Sequence, residues 1–251
     1  MGRVAVIGAT GRVGRSTVDA LRAAGRVVTE VARSTGVDVV TGAGLDDALA
    51  GVDVVIDVMN TPETDPVKAV EFFGTATGNL LTAERRAGVR HHILLSIAGL
   101  NDAKGTGHYD GKRRQEQLVE AGPVPWTIQR ATQFFDFAGM VVDWTTRDGV
   151  ATVAPLLLQP VAIADVAAAL VDAAAGPPQG RAVDLAGPET LDLVDMARRN
   201  LTARRDPTRL RASWRDGPFS LAMAGEALLP GPGARLGTVT FDDWLAQQAT
   251  E

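Results

Sequence analysis

The chain has 251 residues, a formal net charge of −5 and no cysteine. With 45% hydrophobic and 22% charged residues it has the balance of a soluble globule, large enough for one domain or for a domain with a lobe. The acidic balance argues against a nucleic-acid partner. The lack of cysteine excludes disulfides, thiol nucleophiles and thiolate-held metals, and fits a cytoplasmic location.

The elements follow in chain order. "RVAVIG" (3–8) is a first strand ending in glycine, with no signal peptide ahead of it, and "RSTVDALRAAG" (15–25) is a helix closed by Gly25. "RVVTEVAR" (26–33) is a second strand, "VDVVTG" (37–42) a short third and "LDDALAG" (45–51) a brief helix. "VDVVIDVM" (52–59) is a strongly apolar fourth strand. Residues 65–88 form a long helix with proline near its start and Gly88 after it. "HHILLSI" (91–97) is the fifth strand, "KRRQEQLVEAG" (112–122) a helix and "WTIQRA" (126–131) the sixth strand. Continuous apolar strands between helices indicate a parallel sheet covered on both faces, with ligands at the carboxyl ends of its strands. The fold class is therefore α/β, a Rossmann-type doubly wound sheet.

The second half is less regular. Residues 132–144 read as a helix, 160–174 as a short strand leading into a helix, 182–189 as a strand and its exit, and 191–205 as an amphipathic helix. In "FDDWLAQQ" (241–248), Phe241, Trp244 and Leu245 share one helical face, most simply a packing face. The expected organisation is a dinucleotide-binding core over 1–131 and a smaller substrate lobe over 132–251, whose stretch 160–189 interleaves with the sheet. No apolar run is long enough to span a membrane.

"VIGATGRVG" (6–14) places Gly8, Gly11 and Gly14 between a strand and a helix. Glycines allow the sharp turn and close backbone approach that a pyrophosphate needs, and the helix amino end supplies free N–H groups and a positive dipole. Thr10, Arg12 and Val13 lie in the same loop. NAD recognition calls for an acid at the end of the second strand, but that tip reads Arg33-Ser34-Thr35, and Glu30 lies inside the strand. A guanidinium and hydroxyls suit a 2′-phosphate, and Arg12 adds a second cation, so NADP is expected ahead of NAD.

These segments, with "VARST" (31–35), "GVDVVIDVMNTP" (51–62), 72–100, 112–137 and 160–170, resemble the atypical short-chain dehydrogenase/reductase superfamily in its NmrA-like, NAD(P)-binding branch. The resemblance covers about two thirds of the chain and continues weakly to 241–246. It implies a Rossmann domain with a carboxyl-terminal substrate lobe, and it spans reductases of quinones, azo compounds and enones as well as redox sensors that bind NADP without turnover. In the superfamily a serine ends the fifth strand and a YxxxK pair follows; Ser96 and Lys112 match the serine and lysine. Lys112 would bond the nicotinamide ribose. The tyrosine position falls on His108, with Tyr109 displaced by one.

Three readings stay open for "GHYDGK" (107–112): His108 donates the proton, Tyr109 turns inward to do so, or neither acts and the pair is a polar helix start. If Asp110 capped a helix beginning at Gly111, both residues would lie in the loop before it. At the exits of the fourth and sixth strands, Val58 and Asn60 are candidate cofactor contacts. Thr132, Gln133, Phe134 and Phe135 are candidate substrate contacts, although packing is the simpler role for any single phenylalanine. His91 and His92, at the opposite end of the fifth strand, read as structural or surface residues, and no metal site is expected. The functional expectation is an NADP-dependent reductase of a small apolar carbonyl, quinone or enone. A redox sensor and a non-redox enzyme on the same scaffold are the alternatives. Helix 65–88 is a candidate surface for a homodimer.

Overall fold

The structure, a computed structural model, describes residues 2–101 and 107–248. The chain divides into two compact units, each discontinuous in sequence. Unit 1 comprises Met1–Ile97, Gly105–Arg130 and Val166–Val183; unit 2 comprises Ala98–Lys104, Ala131–Asp165 and Asp184–Glu251.

Unit 1 alternates strand and helix: β1 (Arg3–Ile7), α1 (Arg12–Ala23), β2 (Val28–Val31), α2 (Leu45–Leu49), β3 (Val52–Asp57), α3 (Pro66–Ala87), β4 (His91–Ile97), α4 (Gly107–Ala121) and β5 (Trp126–Ala131). The strands lie in the order β5-β4-β3-β1-β2. Pairing is parallel, with Ile7 opposite both Val31 and Asp57, and Asp57 opposite Leu94. That register brings the carboxyl ends of β1, β2 and β3 to one edge. The order reverses between β1 and β3, the switch point at which such sheets bind ligands. This is a Rossmann-type α/β fold.

Local chemistry explains the elements. Val4–Ile7 of β1 are all buried, as a strand covered on both faces requires. Helix α3 starts where the Asp65 carboxylate accepts from the Val67 and Lys68 amides, with Pro66 at the first position, and stops at Gly88 in the left-handed region, φ 73°. Its inward face carries Ala69, Phe73, Ala76, Leu80 and Ala83. Helix α4 packs closely on it at Gly111, where a Cβ would lie 2.5 Å from the Phe73 ring.

The strand expected over 37–42 does not form. The Asp38 side chain accepts from Val40 N (2.8 Å) and Thr41 N (3.3 Å), and its carbonyl accepts from Gly42 N (2.8 Å). A short acid that bonds its own backbone turns the chain before a ladder can start. Helix α4 begins at Gly107 rather than at Gly111 or Lys112, so His108 and Tyr109 are helical, and α1 begins at Arg12 rather than Arg15.

Beyond β5 come α5 (Phe137–Thr145), β6 (Thr146–Arg147), β7 (Val150–Val153) and β8 (Leu157–Leu158). They are followed by α6 (Ile163–Ala175), β9 (Gly180–Arg181), β10 (Leu185–Ala186), β11 (Leu191–Asp192) and α7 (Leu193–Arg204). The last elements are β12 (Arg209–Ala212), β13 (Arg235–Leu236) and α8 (Phe241–Gln248). Strand β9 belongs to unit 1, where Gly180 and Arg181 pair with Thr127 and Ile128 of β5. In unit 2, β12-β7-β6 form a small sheet and β8 pairs antiparallel with β11. Phe241 of α8 is fully buried and stacks on Trp244 at 5.6 Å, the packing face expected from the sequence. The helix expected over 132–144 begins only at Phe137, because Gln133 and Phe134 run extended against Val161.

Candidate dinucleotide and catalytic site

The glycine loop joins β1 to α1 at the switch point. Gly8 has φ +80°, and its amide bonds the Val31 carbonyl at 2.9 Å. Gly14 lies so close to the loop that a Cβ there would meet the Gly8 carbonyl oxygen at 2.1 Å. Gly11 is the N-cap of α1, and a glycine there supplies no side-chain cap to the helix start. Thr10 and Arg12 are exposed and Val13 is half-buried. This glycine-lined cradle before an uncapped helix start fits a pyrophosphate. Val58 N bonds the Ile7 carbonyl at 3.1 Å, so the β3 exit runs alongside the loop, with Asn60 exposed just beyond.

At the end of β2, Arg33, Ser34 and Thr35 form a single 3₁₀ turn, with Arg33 and Ser34 exposed. The Thr35 hydroxyl donates to the Ala32 carbonyl at 2.8 Å and accepts from the Ala32 amide at 3.0 Å. Glu30 of β2 is held by Arg22 of α1 at 2.6 Å.

Ser96, near the carboxyl end of β4, is buried; among the described residues its Oγ meets no partner at full hydrogen-bond geometry, although the hydroxyl lies near enough to the Glu116 carboxylate to lower that group's pKa. The nearby Glu116 carboxylate is taken by Arg130, at 2.9 and 2.7 Å, and by Arg181 at 3.0 Å. Burial alone would raise the Glu116 pKa; hydrogen bonding to Arg130, the Ser96 hydroxyl, the Arg130 charge and bonding to Arg181 outweigh it and hold the carboxyl below its ordinary value.

Lys112 is 4% exposed. Its Nζ donates to the Leu95 carbonyl at 2.8 Å and to Gln115 Oε1, and it sits 5.2 Å from the centre of the Phe73 ring. Burial pushes its pKa down to about 8, against the pull of Asp57 and Glu116. His108 is half-buried, with its ring edge-on to Phe73 at 5.8 Å and 6.5 Å from the Tyr109 ring. Burial, and then the Lys112 charge, push its pKa down to about 4, so the imidazole is neutral at neutral pH. That favours the neutral ring over the imidazolium on which donation by His108 depends.

In unit 2, Thr132 is buried and donates its hydroxyl to the Gln159 carbonyl at 2.6 Å. Phe135 is buried among aromatic rings, 5.6 Å from Phe241 and 5.9 Å from Trp244. Phe134 is half-buried beside Val161. Gln133 differs from these: both polar atoms of its carboxamide are buried with no hydrogen-bond partner among the described residues.

The family model described as NAD(P)H-binding matches residues 8–177, well over half of the chain. The chain belongs to that NAD(P)H-binding family. Solved structures similar to it include MoeE5 in complex with UDP-glucuronic acid and NAD, at 18% identity and a TM-score of 0.73, covering 99% of this chain and 98% of that one. A short-chain dehydrogenase/reductase superfamily protein from Agrobacterium tumefaciens with bound NAD matches at 18% identity and a TM-score of 0.73, over 99% of this chain and 96% of that one. The Bordetella bronchiseptica enzyme WbmH in complex with NAD⁺ matches at 14% identity and a TM-score of 0.75, over 100% and 97%. At these identities the likeness is one of fold, which agrees with the short-chain dehydrogenase/reductase resemblance. A search of curated protein sequences finds no match.

The family match begins at Gly8, on the loop that the glycine spacing singles out. Sequence reasoning passed over Asp57, Gln115 and Glu84, and read His91 and His92 as structural or surface residues; both are buried. Asp57 ends β3 fully buried, its Oδ1 accepting from Met59 N and its Oδ2 from Gln115 Nε2, both at 2.9 Å. Behind it, Glu84 of α3 and His92 of β4 form a buried pair at 2.8 Å. The available signal was an aspartate inside the apolar run "VDVVIDVM", where an acid persists only with a partner. No helix among the described residues is long and apolar enough to cross a membrane.

Proposed function

We propose that the protein is an NADPH-dependent reductase of a small apolar carbonyl, quinone or enone, of the NmrA-like type. The observation that carries the reading is Ser96: a buried hydroxyl with no full hydrogen bond among the described residues, beside the Glu116 carboxylate and near the carboxyl end of β4 in the sheet that bears the glycine loop. A buried polar atom left unpaired is costly, and a substrate oxygen would satisfy it.

Gly8, Thr10, Gly11, Arg12, Val13 and Gly14 would hold the pyrophosphate, with Val58 and Asn60 alongside. Arg33 and Ser34, with Arg12, would hold a 2′-phosphate, and Glu30 is turned to Arg22 at 2.6 Å. Bound nicotinamide supplies the hydride. The chain's own groups handle the oxygen: Ser96 donates a hydrogen bond to it and Tyr109 delivers the proton, because His108 is neutral. Lys112 supplies fixed positive charge at the Leu95–Ser96 peptide, which favours an anionic oxygen nearby. Of the four substrate candidates Gln133 is the strongest, since its carboxamide has an unspent donor and an unspent acceptor.

The test is NADPH oxidation against a panel of quinones, enones and aldehydes. Tyr109→Phe and Ser96→Ala should each lower kcat by at least about a hundredfold, and His108→Asn should change it little. A second reading, a sensor that binds NADP without turnover, draws support from Lys112, whose ammonium is already engaged by protein groups. Calorimetric binding of NADPH with no turnover across the panel would favour it. Full activity in Ser96→Ala and Tyr109→Phe would overturn the reductase assignment.

A further inference from the structure

Lys112 is held by a chain of side chains that none of the roles above uses. Its Nζ donates to Gln115 Oε1, Gln115 Nε2 donates to Asp57 Oδ2, and Asp57 Oδ1 accepts from the Met59 amide. Burial raises the Asp57 pKa against the pull of His92 and Lys112, but both its oxygens accept N–H bonds and lysine only donates, so the Gln115 carboxamide has one satisfactory orientation. Met59 in turn backs the glycine loop: a Cβ on Gly8 would lie 3.1 Å from Met59 Cα. The chain therefore runs from the cofactor loop, through β3, to the lysine beside Ser96.

We propose that Gln115 and Asp57 are positioning residues for Lys112, fixing its ammonium at the Leu95 carbonyl and tying it to the β3 exit behind the glycine loop. The proposal rests on the reading of Lys112 as part of the oxidoreductase site.

The charges around the lysine agree with the role. Asp57 of β3 and Glu116 of α4 favour its cation, burial opposes it, and His108 of α4 is neutral. Glu84 of α3 and His92 of β4 complete the group; Asp57 and Glu84 face Lys112 and His92, two carboxyls against two basic side chains. Asp57→Asn would set an amide N–H₂ against either the Met59 amide or the Gln115 amide, so the chain cannot keep its direction. Gln115→Leu keeps most of the volume and removes both bonds.

The chain has three lysines, Lys68, Lys104 and Lys112, so the titration of each can be followed by ¹³C NMR on protein labelled at lysine Cε. The Lys112 signal is the one lost in Lys112→Met. In Asp57→Asn and in Gln115→Leu its midpoint should fall by roughly one pH unit or more, because each change removes an interaction that favours the ammonium. In the wild-type protein the Gln115 side-chain amide signals should shift with the same midpoint as Lys112, a measurement that needs no variant. An unmoved Lys112 midpoint in a folded variant, or Gln115 signals indifferent to that titration, overturns the proposal. Wild-type turnover tests the reductase reading separately, since the lysine titration is read without cofactor or substrate.

Discussion

Glu84 Oε1 and His92 Nδ1 meet at 2.8 Å between α3 and β4, and neither side chain is reached by solvent. Burial alone would lower the His92 pKa; the charge and hydrogen bond of Glu84, helped by Asp57, raise it instead. The folded protein therefore holds this proton more tightly than the unfolded chain does. That stabilisation is complete below about pH 6.5 and fades as pH rises through the folded value. Removing one partner, as in Glu84→Leu, should cost about 3–5 kcal/mol by urea denaturation near neutral pH. The double variant Glu84→Leu/His92→Leu should recover much of the loss, because no unpaired charge is left buried. Equal losses in the single and double variants would mean that the pair is not an ion pair.

Gly14→Ala should weaken dinucleotide binding and the fold together. Its Cβ would meet the Gly8 carbonyl oxygen at 2.1 Å and Ala9 Cα at 2.8 Å, both backbone atoms that cannot swing aside. We expect a loss of about 1–3 kcal/mol of stability and at least about a tenfold rise in Kd for NADPH by calorimetry. Gly78→Ala is the contrasting change: the site lies inside α3 with nothing within 4 Å of the added carbon. There alanine should stabilise by about 0.5–1 kcal/mol. An unchanged Kd in Gly14→Ala would remove the pyrophosphate from this loop.

Arg33→Ala tests the choice of dinucleotide. Arg33 is exposed at the end of β2, and a hydrogen bond to a charged group is worth about 1.5–3 kcal/mol. Affinity for NADPH should fall roughly tenfold or more, with affinity for NADH nearly unchanged. A parallel fall for both cofactors, or for neither, would detach Arg33 from the 2′-phosphate.

Ser96→Ala should separate stability from chemistry. Among the described residues the Ser96 Oγ makes no full hydrogen bond and has only its weaker interaction with the Glu116 carboxylate to lose, so the unfolding free energy should stay within about 0.5 kcal/mol of wild type. A large stability loss would show that the hydroxyl serves the fold.

Much of the fold is legible in the sequence because its signals are local. The glycine spacing at 8, 11 and 14, the Asp65-Pro66 start and Gly88 stop of α3, and the apolar runs of β1 and β4 each carry their own physical reason. One misread segment, 37–42, is local too: its valines suggest a strand, but Asp38 bonds the backbone first. The start of α4 is obscured because Gly107 and Gly111, poor helix formers, are required by the close approach of α3. The chain from Lys112 through Gln115 to Asp57 joins residues 58 apart in sequence at its longest step, and spacing along a single sequence carries no record of such a bond.

Unit 1 is closed by its last segment, Val166–Val183. That stretch brings Gly180 and Arg181 to the edge of β5 and sets the Arg181 guanidinium on Glu116 at 3.0 Å. A ribosome that has made only the first 131 residues has therefore not made a complete dinucleotide unit. The five-stranded sheet must wait, with the edge of β5 uncovered, while the first part of the other unit is synthesised. Protection of that open edge against pairing with a neighbouring nascent chain is a demand that this chain order places on the cell.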